Sequence, residues 1–466
     1  MTPASRTAKV SSGHPRLDQV LHGGIPQNAI TLIIGIPGSG KTILSQRFAF
    51  HNAKAGAPAL YLSTVTEPFD KIVRYGQTLE FFDVAAVRDG RVVYEDIGHA
   101  LTSGGLDGVL AAVGEMLKTQ HPALVVIDSF RAFNAFAKDD ASYRLFLDSL
   151  TRMLTASATT SIWIDEYSRA TAHDAPEFAV ADAIIALDTK QFQEREQRTL
   201  QVLKLRGSGF LSGQHAYRIS SKGIDVFPRL ADSQDRSTYT LAKKRIKTGI
   251  EALDTMLGDG LWLGASTLIV GPTGVGKTLI GLHFLFEGAN TGEPGILATF
   301  QENETQLERI VNGFGWTLKT KNVNVLSRSL VDIYIDEWVY ELIDLIDSTG
   351  SKRVVIDSLA DVMAAAGDVT RFREWMFSLV QRCTRQGVAL IMTLEVSDLF
   401  EIRHISEQGL SHLSDNVLVL QYVKGTGRVT RTLTVLKTRG TRHDHQVRPY
   451  EITAEGLVLV EAPTTS

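Results

Sequence analysis

Two stretches of this chain, about half its length apart, obey the same eight-residue rule, and that rule restricts the fold more than any other feature. The first is Gly35-Ile36-Pro37-Gly38-Ser39-Gly40-Lys41-Thr42; the second is Gly271-Pro272-Thr273-Gly274-Val275-Gly276-Lys277-Thr278. Both fit G-x-x-x-x-G-K-[ST], the loop that cradles a triphosphate. Glycine lets the backbone turn tightly enough for successive amides to converge on phosphate oxygens. Lys41 and Lys277 would bring a compact positive charge to the β and γ phosphates, and the Thr42 and Thr278 hydroxyls would ligate Mg²⁺. Nucleotide contacts are therefore expected from Gly35, Gly38, Ser39, Gly40, Lys41 and Thr42, and from Gly271, Thr273, Gly274, Val275, Gly276, Lys277 and Thr278. Such a loop belongs between a strand and a helix. Thr31-Leu32-Ile33-Ile34 and Thr267-Leu268-Ile269-Val270 read as the strands, and helical patterns follow, Ile43 to Phe50 and Leu279 to Phe286. The bland alternative is a glycine-rich turn without a ligand; two copies in matched surroundings argue against it.

The loops are not the only matched landmarks. Leu124-Val125-Val126-Ile127-Asp128-Ser129 is echoed by Val354-Val355-Ile356-Asp357-Ser358. Arg198-Thr199-Leu200-Gln201-Val202-Leu203-Lys204-Leu205-Arg206-Gly207 is echoed by Arg431-Thr432-Leu433-Thr434-Val435-Leu436-Lys437-Thr438-Arg439-Gly440. Lys41 and Lys277 are 236 positions apart, Asp128 and Asp357 are 229, and Lys204 and Lys437 are 233. Near-constant separations mean a duplicated domain. The expected organisation is a first domain over residues 10–230, a polar linker over 231–243 and a second domain over 244–460. Alternating β-rich and helical runs predict an α/β fold in each half, a mostly parallel twisted sheet flanked by helices.

Composition narrows the setting. A chain of 466 residues with 44% hydrophobic and 21% charged residues fits a soluble globular protein of more than one domain. A net charge of −4 supplies no bulk basic surface for nucleic acid. Cys383 is the single cysteine, so no internal disulfide framework exists. No signal-like apolar core opens the chain, and no apolar run approaches the ~20 residues that cross a bilayer. The expectation is a cytoplasmic protein without membrane contact.

Asp128 and Asp357 each end an apolar run, at the sheet edge where a P-loop would hold phosphates and where Mg²⁺ needs a carboxylate. An aspartate there also suits a helix N-cap; the upstream loop in both halves favours the metal. Hydrolysis needs a group that orients and deprotonates water. Glu302, after the strand-like Gly295-Ile296-Leu297-Ala298, is the stronger candidate; Glu67, after Ala59-Leu60-Tyr61, also reads as an exposed loop acid. Lys204 with Arg206, and Lys437 with Arg439, are two apart on predicted strands, which puts each pair on one face. A solvated face is the ordinary fate of such a pair. Repeated in both halves, two cations suit the stabilisation of γ-phosphate charge in a transition state. If they act on a neighbour's nucleotide, the protein is a ring or filament.

With these motifs assembled, the chain resembles the KaiC family of the RecA-like P-loop ATPases from about Val10 to Val460. The paired loops, the Ile-Asp-Ser endings, the Lys-x-Arg-Gly segments, Leu418-Val419-Leu420-Gln421-Tyr422-Val423 and His443-Asp444 carry the resemblance. It implies two tandem RecA-like domains, ATP and Mg²⁺ as ligands, and a homo-oligomer, a two-tiered hexamer with ATP between subunits. It also implies that Lys204, Arg206, Lys437, Arg439 and His443 reach across in trans. The family carries two adjacent glutamates as its catalytic pair; here the second half reads Gln301-Glu302 and the first Val65-Thr66, with Glu67 one place on. Phe210 stands where the family's first half has a histidine. The clock-type members phosphorylate a Ser-Thr pair that falls on Ser411 and His412; Ser411 is a candidate acceptor and equally an ordinary polar turn residue, and His412 has no hydroxyl. Clock members also have a long tail for an activating partner, whereas this chain stops soon after Val460, so that regulation is not expected.

The leading expectation is an ATP-hydrolysing signalling ATPase acting on unidentified protein partners, with autokinase activity in the second half as a variant. The alternatives are a RecA-like DNA recombination ATPase, disfavoured by the acidity and by the lack of an evident basic, glycine-rich loop, and a scaffold that binds ATP only to assemble.

Overall fold

The computed structural model describes residues 8–64, 69–167, 175–192, 195–230, 243–329, 334–366, 368–397, 412–424 and 429–460. The chain divides into two compact units, Met1–Arg229 and Leu230–Ser466. Each holds one nine-stranded sheet. In the first unit the strands are β1 (Ile30–Gly35), β2 (Ala59–Ser63), β3 (Val92–Asp96), β4 (Leu124–Asp128), β5 (Thr160–Asp165), β6 (Ala183–Phe192), β7 (Arg195–Leu205), β8 (His215–Ser220) and β9 (Gly223–Phe227). They lie side by side as β3-β2-β4-β5-β1-β6-β7-β8-β9. Pairings from β3 to β6 are parallel, and β7, β8 and β9 extend the sheet antiparallel.

The second unit has β10 (Ser266–Gly271), β11 (Gly295–Thr299), β12 (Val323–Ser327), β13 (Arg353–Asp357), β14 (Ala389–Glu395), β15 (Asn416–Lys424), β16 (Val429–Thr438), β17 (Arg448–Thr453) and β18 (Gly456–Leu459). Their order is β12-β11-β13-β14-β10-β15-β16-β17-β18, the first order with every label raised by nine. The duplication seen in the sequence is therefore a duplication of topology.

Both central strands, β1 and β10, are buried at every position, as a parallel strand covered on two faces must be. The two-residue period of a strand divides their side chains between two cores. Leu32 and Ile34 enter one core and Ile33 the other; Leu268 and Val270 enter one and Ile269 the other. On the Ile33 face, α1 (Lys41–Lys54) supplies Leu44, Phe48 and Ala49. On the opposite face, α2 (Gly98–Gln120) and α3 (Asp140–Ala156) supply Val109, Val113, Phe146 and Leu150. The second unit repeats the arrangement, with α4 (Lys277–Asn290) against the Ile269 face. Its other core takes Trp338 and Leu342 from α5 (Ile335–Thr349) and Val362 from α6 (Leu359–Ala366). It also takes Phe372 and Met376 from α7 (Val369–Gln386).

Helices on both faces leave only the strand ends open to polar chemistry. Ligands of such sheets bind beyond the carboxyl ends of the strands, and there β1 passes into the first glycine loop and β10 into the second.

Arg353, the first residue of β13, is a cation enclosed by this core, at 2% exposure. Its guanidinium donates to Glu293 Oε2 at 3.0 and 2.8 Å and to the carbonyls of Lys247 and Phe284 at 2.7 and 2.9 Å. A buried charge is tolerated when its donors are matched in this way. Glu293→Ala is expected to destabilise the second unit by about 3 kcal/mol, because it strands a buried cation. Urea denaturation of the full chain checks this: the second unit's transition should move to lower urea and the first unit's should stay.

Candidate functional site

The two loops fold alike. Gly38 and Gly40 have φ of 77° and 89°, and Gly274 and Gly276 have φ of 70° and 106°, the left-handed region where a side chain is strained. At Gly35 and Gly271 the reason for glycine is different. A Cβ there would strike the carbonyls of Leu187 and Leu420 on the neighbouring strand, and also the buried Ser39 and Val275 side chains. Gly40 and Gly276 cap α1 and α4 without a side-chain bond, so the first amides of each helix are left for a ligand. The loops are braced from the antiparallel edge: Tyr217 OH donates to Ser39 O at 2.7 Å, Arg198 donates to Gly38 O at 2.7 Å, and Tyr450 OH donates to Val275 O.

Lys41 and Lys277 curl over their own loops, donating to the carbonyls of Gly35 (2.9 Å) and Ile36 (3.0 Å), and of Pro272 (2.9 Å). Burial lowers the pKa of both ammonium groups. In the first unit the charges of Glu166 and Asp128 oppose that shift, and in the second those of Glu395 and Asp357 do.

Thr42 Oγ1 donates to Asp128 Oδ2 at 2.8 Å, and Thr278 Oγ1 donates to Asp357 Oδ2 at 2.5 Å. The alternative reading of Asp128 as a helix cap is not realised; Ser129 occupies the N-cap of the turn that follows. Each carboxylate takes a second hydroxyl, but from different strands. Tyr61 on β2 donates to Asp128 at 2.7 Å, and Thr393 on β14 donates to Asp357. By register, Tyr61 corresponds to Leu297, and Thr393 to Ile164. The two units thus reach one polar arrangement by exchanging which neighbour is polar. Among the described residues no group of three or more His, Cys, Asp or Glu forms a metal cage. A threonine beside a carboxylate suits Mg²⁺, which is commonly completed by phosphates and water.

Glu302 is half-buried beyond β11, with its Oε2 accepting from Thr299 Oγ1 at 2.9 Å. Burial raises its carboxyl pKa; the Thr299 bond opposes the rise, and the negative charge of Asp357 adds to it. Glu67 and Ser411 lie outside the described residues.

The Lys-x-Arg pairs sit elsewhere. Lys204 and Lys437 are strand residues, each directly after a β-bulge that displaces Leu203 or Leu436 from the ladder. Arg206 and Arg439 lie just past the ends of β7 and β16, so the expectation of two strand residues holds for the lysines alone. Arg206 pairs with Asp182 at 3.2 Å and Arg439 with Asp415 at 3.7 Å. Asp182 and Asp415 in turn accept from the backbone of Ile30 and Ser266, the first residues of β1 and β10. The arginines therefore stand at the amino end of the strand whose carboxyl end carries the loop. Six residues of β1 separate the two edges, about 17 Å at ~3.3 Å per residue. His443 has its Nε2 buried without a partner among the described residues and its ring 4.2 Å from that of His445. Phe210 packs against the first unit's core.

Comparison with known sequences decides the family. The sequence model of the KaiC ATPase family matches residues 10–231 and again 246–464. The chain belongs to the KaiC family of ATPases. It is 29% identical over 465 residues to the circadian clock oscillator protein KaiC of Picosynechococcus, covering 96% of this chain and 88% of that one. It is 27% identical over 466 residues to the circadian clock protein KaiC3 of Synechocystis, covering 96% and 91%. The two units are tandem RecA-like P-loop domains, and the protein is a nucleotide-binding ATPase. Among the described residues no helix is long and apolar enough to cross a membrane.

Sequence reasoning missed several residues of this KaiC-family site. Tyr217 and Tyr450 touch the loops from strands that carry no motif, although they recur 233 positions apart, and Arg198 touches the first loop from the strand of the Lys-x-Arg segment. Glu166 and Glu395, next to the loop lysines, stand one just past β5 and the other at the end of β14, strands of dissimilar sequence. Beside Glu166 lies a buried acidic pair. Asp165 is fully buried, with one oxygen bonded to the Glu166 amide at 2.6 Å and the other without a partner among the described residues. Glu177, also fully buried, accepts from Tyr143 and Tyr167, each at 3.0 Å.

Burial pushes the Asp165 carboxyl up to about 7. The folded state then holds this proton more tightly than the unfolded chain, so the first unit loses stability as pH rises from about 4 to about 7. Asp165→Asn is expected to raise the first unit's urea midpoint at about pH 8, with the gain shrinking towards pH 4. A pH-independent difference between the two proteins would contradict the assignment.

Proposed function

We propose that this protein is a KaiC-like signalling ATPase that binds Mg·ATP at both loops and completes each site with the Lys-x-Arg segment of an adjacent copy. The observation that carries the reading is the separation of edges. Arg206 and Arg439 are anchored about 17 Å along β1 and β10 from their own loops, so the phosphates they would serve belong to another subunit. Head-to-tail pairing of this kind closes into a ring, and the family resemblance favours six subunits in two tiers. Relatives named as circadian clock proteins support a regulatory role over a metabolic one.

In the second unit Glu302 acts as general base. Water attacks the γ phosphorus, the bond from that phosphorus to the bridging oxygen breaks, ADP departs, and the water proton passes to the Glu302 carboxylate. Burial, which raises its pKa, makes the Glu302 carboxylate a stronger proton acceptor. Mg²⁺, held through Thr278 with Asp357 behind it, would neutralise phosphate charge; Lys277, Lys437 and Arg439 would stabilise the charge that spreads in the transition state. Thr42, Asp128, Lys41, Lys204 and Arg206 would do the same in the first unit. Turnover there rests on Glu67, since Val65 and Thr66 carry no acid. Autokinase activity would use Ser411, and intact mass after incubation with ATP, in the wild type and Ser411→Ala, decides that variant.

Three outcomes are expected. Lys41→Ala and Lys277→Ala each remove one class of nucleotide site, and Lys277→Ala removes most turnover. Glu302→Gln keeps nucleotide binding and lowers second-unit kcat by at least about 10²-fold; Arg439→Ala lowers it by about 10³-fold. Mixing Glu302→Gln subunits with Arg439→Ala subunits restores turnover, because some interfaces then join an intact base to an intact arginine. Co-assembly without restored turnover contradicts action in trans.

A further inference from the structure

The loop that carries Glu302 is tied to α6, the helix after β13, by an aspartate with no equivalent in the first unit's sequence. Asp361, in the first turn of α6, accepts three hydrogen bonds on one oxygen, Oδ2. They come from Gln301 Nε2 at 2.9 Å, Ser358 Oγ at 2.7 Å and Ser358 N at 3.3 Å. Asp361 is four residues beyond Asp357; four residues beyond Asp128 stands Ala132. No carboxylate stands at that position in the first unit.

The chemistry of the contact fixes the orientation of Gln301. A carboxylate oxygen only accepts, so the amide must present its NH₂ to Asp361. What remains for any other partner is the second N–H and Oε1, the amide's one acceptor. The neighbouring Glu302 is held separately, by Thr299 on its Oε2 and by Ser327 Oγ on its backbone carbonyl at 2.8 Å. Two adjacent residues thus stand braced beyond β11, one offering an amide oxygen and the other a carboxylate. A water donating one O–H to each would be oriented by the first and deprotonated by the second.

We propose that Asp361 is a positioning residue for ATP hydrolysis in the second unit: by holding the Gln301 amide it fixes the acceptor that orients the attacking water beside Glu302. The inference rests on the reading of Glu302 as the second unit's base. As a helix-start residue alone, Asp361 would support stability and leave kcat untouched. As a positioning residue it controls kcat with little effect on KM, since misplacing a reacting group costs rate rather than binding.

The test measures ATP turnover by the full-length protein in a Lys41→Ala background, so that second-unit hydrolysis is read. Asp361→Ala is expected to lower kcat by about 10²-fold, with KM for ATP changed by no more than about twofold. Gln301→Glu sets two carboxylates against each other and is expected to lower kcat similarly. Combining Gln301→Glu with Asp361→Asn restores a donor–acceptor pair in the reverse sense and is expected to recover at least about tenfold of the loss. Recovery also shows that the loss in the single variants is not misfolding. Wild-type kcat in Asp361→Ala, higher kcat in Gln301→Glu, or no recovery in the double variant would overturn the proposal. Glu302→Gln, measured alongside, separates the two claims. If it abolishes turnover while Asp361→Ala does not, the positioning role alone fails; if it leaves turnover intact, the reading of Glu302 fails first.

Discussion

The complete burial of β1 and β10 is the constraint on which both sites depend. A strand covered on two faces by Leu, Ile, Val and Phe admits small hydroxyls such as Thr31, Ser266 and Thr267 but no charged side chain along its length. Polar chemistry is pushed to its two ends. At the carboxyl end the chain turns into a glycine loop and meets Asp128 or Asp357. At the amino end Asp182 or Asp415 ties the first residue of the strand and holds the arginine of the Lys-x-Arg segment. The glycine loops and the Lys-x-Arg segments thus lie on opposite edges of one layer. On the proposed reading, a domain built this way needs a second copy to supply the complement.

Duplication preserved this frame and let the details diverge. Strand order and loop geometry repeat, whereas the hydroxyl that supports the metal-side carboxylate comes from Tyr61 in one unit and Thr393 in the other. Ala132 stands where the second unit has Asp361, and by register Leu394 stands where the first unit has the buried Asp165. Each of these differences lies within or beside the site and none disturbs the sheet. Such a pattern fits two sites under different demands.

Much of this was legible in the chain itself. The paired loops, the aspartates that end apolar runs and the constant spacing gave the fold class and the tandem arrangement, because each is a local pattern with a local physical cause. The loop braces from Tyr217, Arg198 and Tyr450 were not legible, since they join residues about 160 or more positions apart through the antiparallel extension. The bulges before Lys204 and Lys437 were also hidden: alternation along a strand assigns faces correctly only while the ladder is regular. The Asp361–Gln301 contact escaped for a related reason, since an aspartate four residues beyond a motif reads as an ordinary helix-start acid.

The account's central claim is that one copy cannot finish its own site. Sedimentation velocity of the full chain, with and without Mg²⁺ and a non-hydrolysable ATP analogue, tests it most directly. The account predicts that the nucleotide drives the 51.1 kDa chain into one closed species several times that mass. A monomer that binds the analogue at both loops and stays a monomer would contradict it.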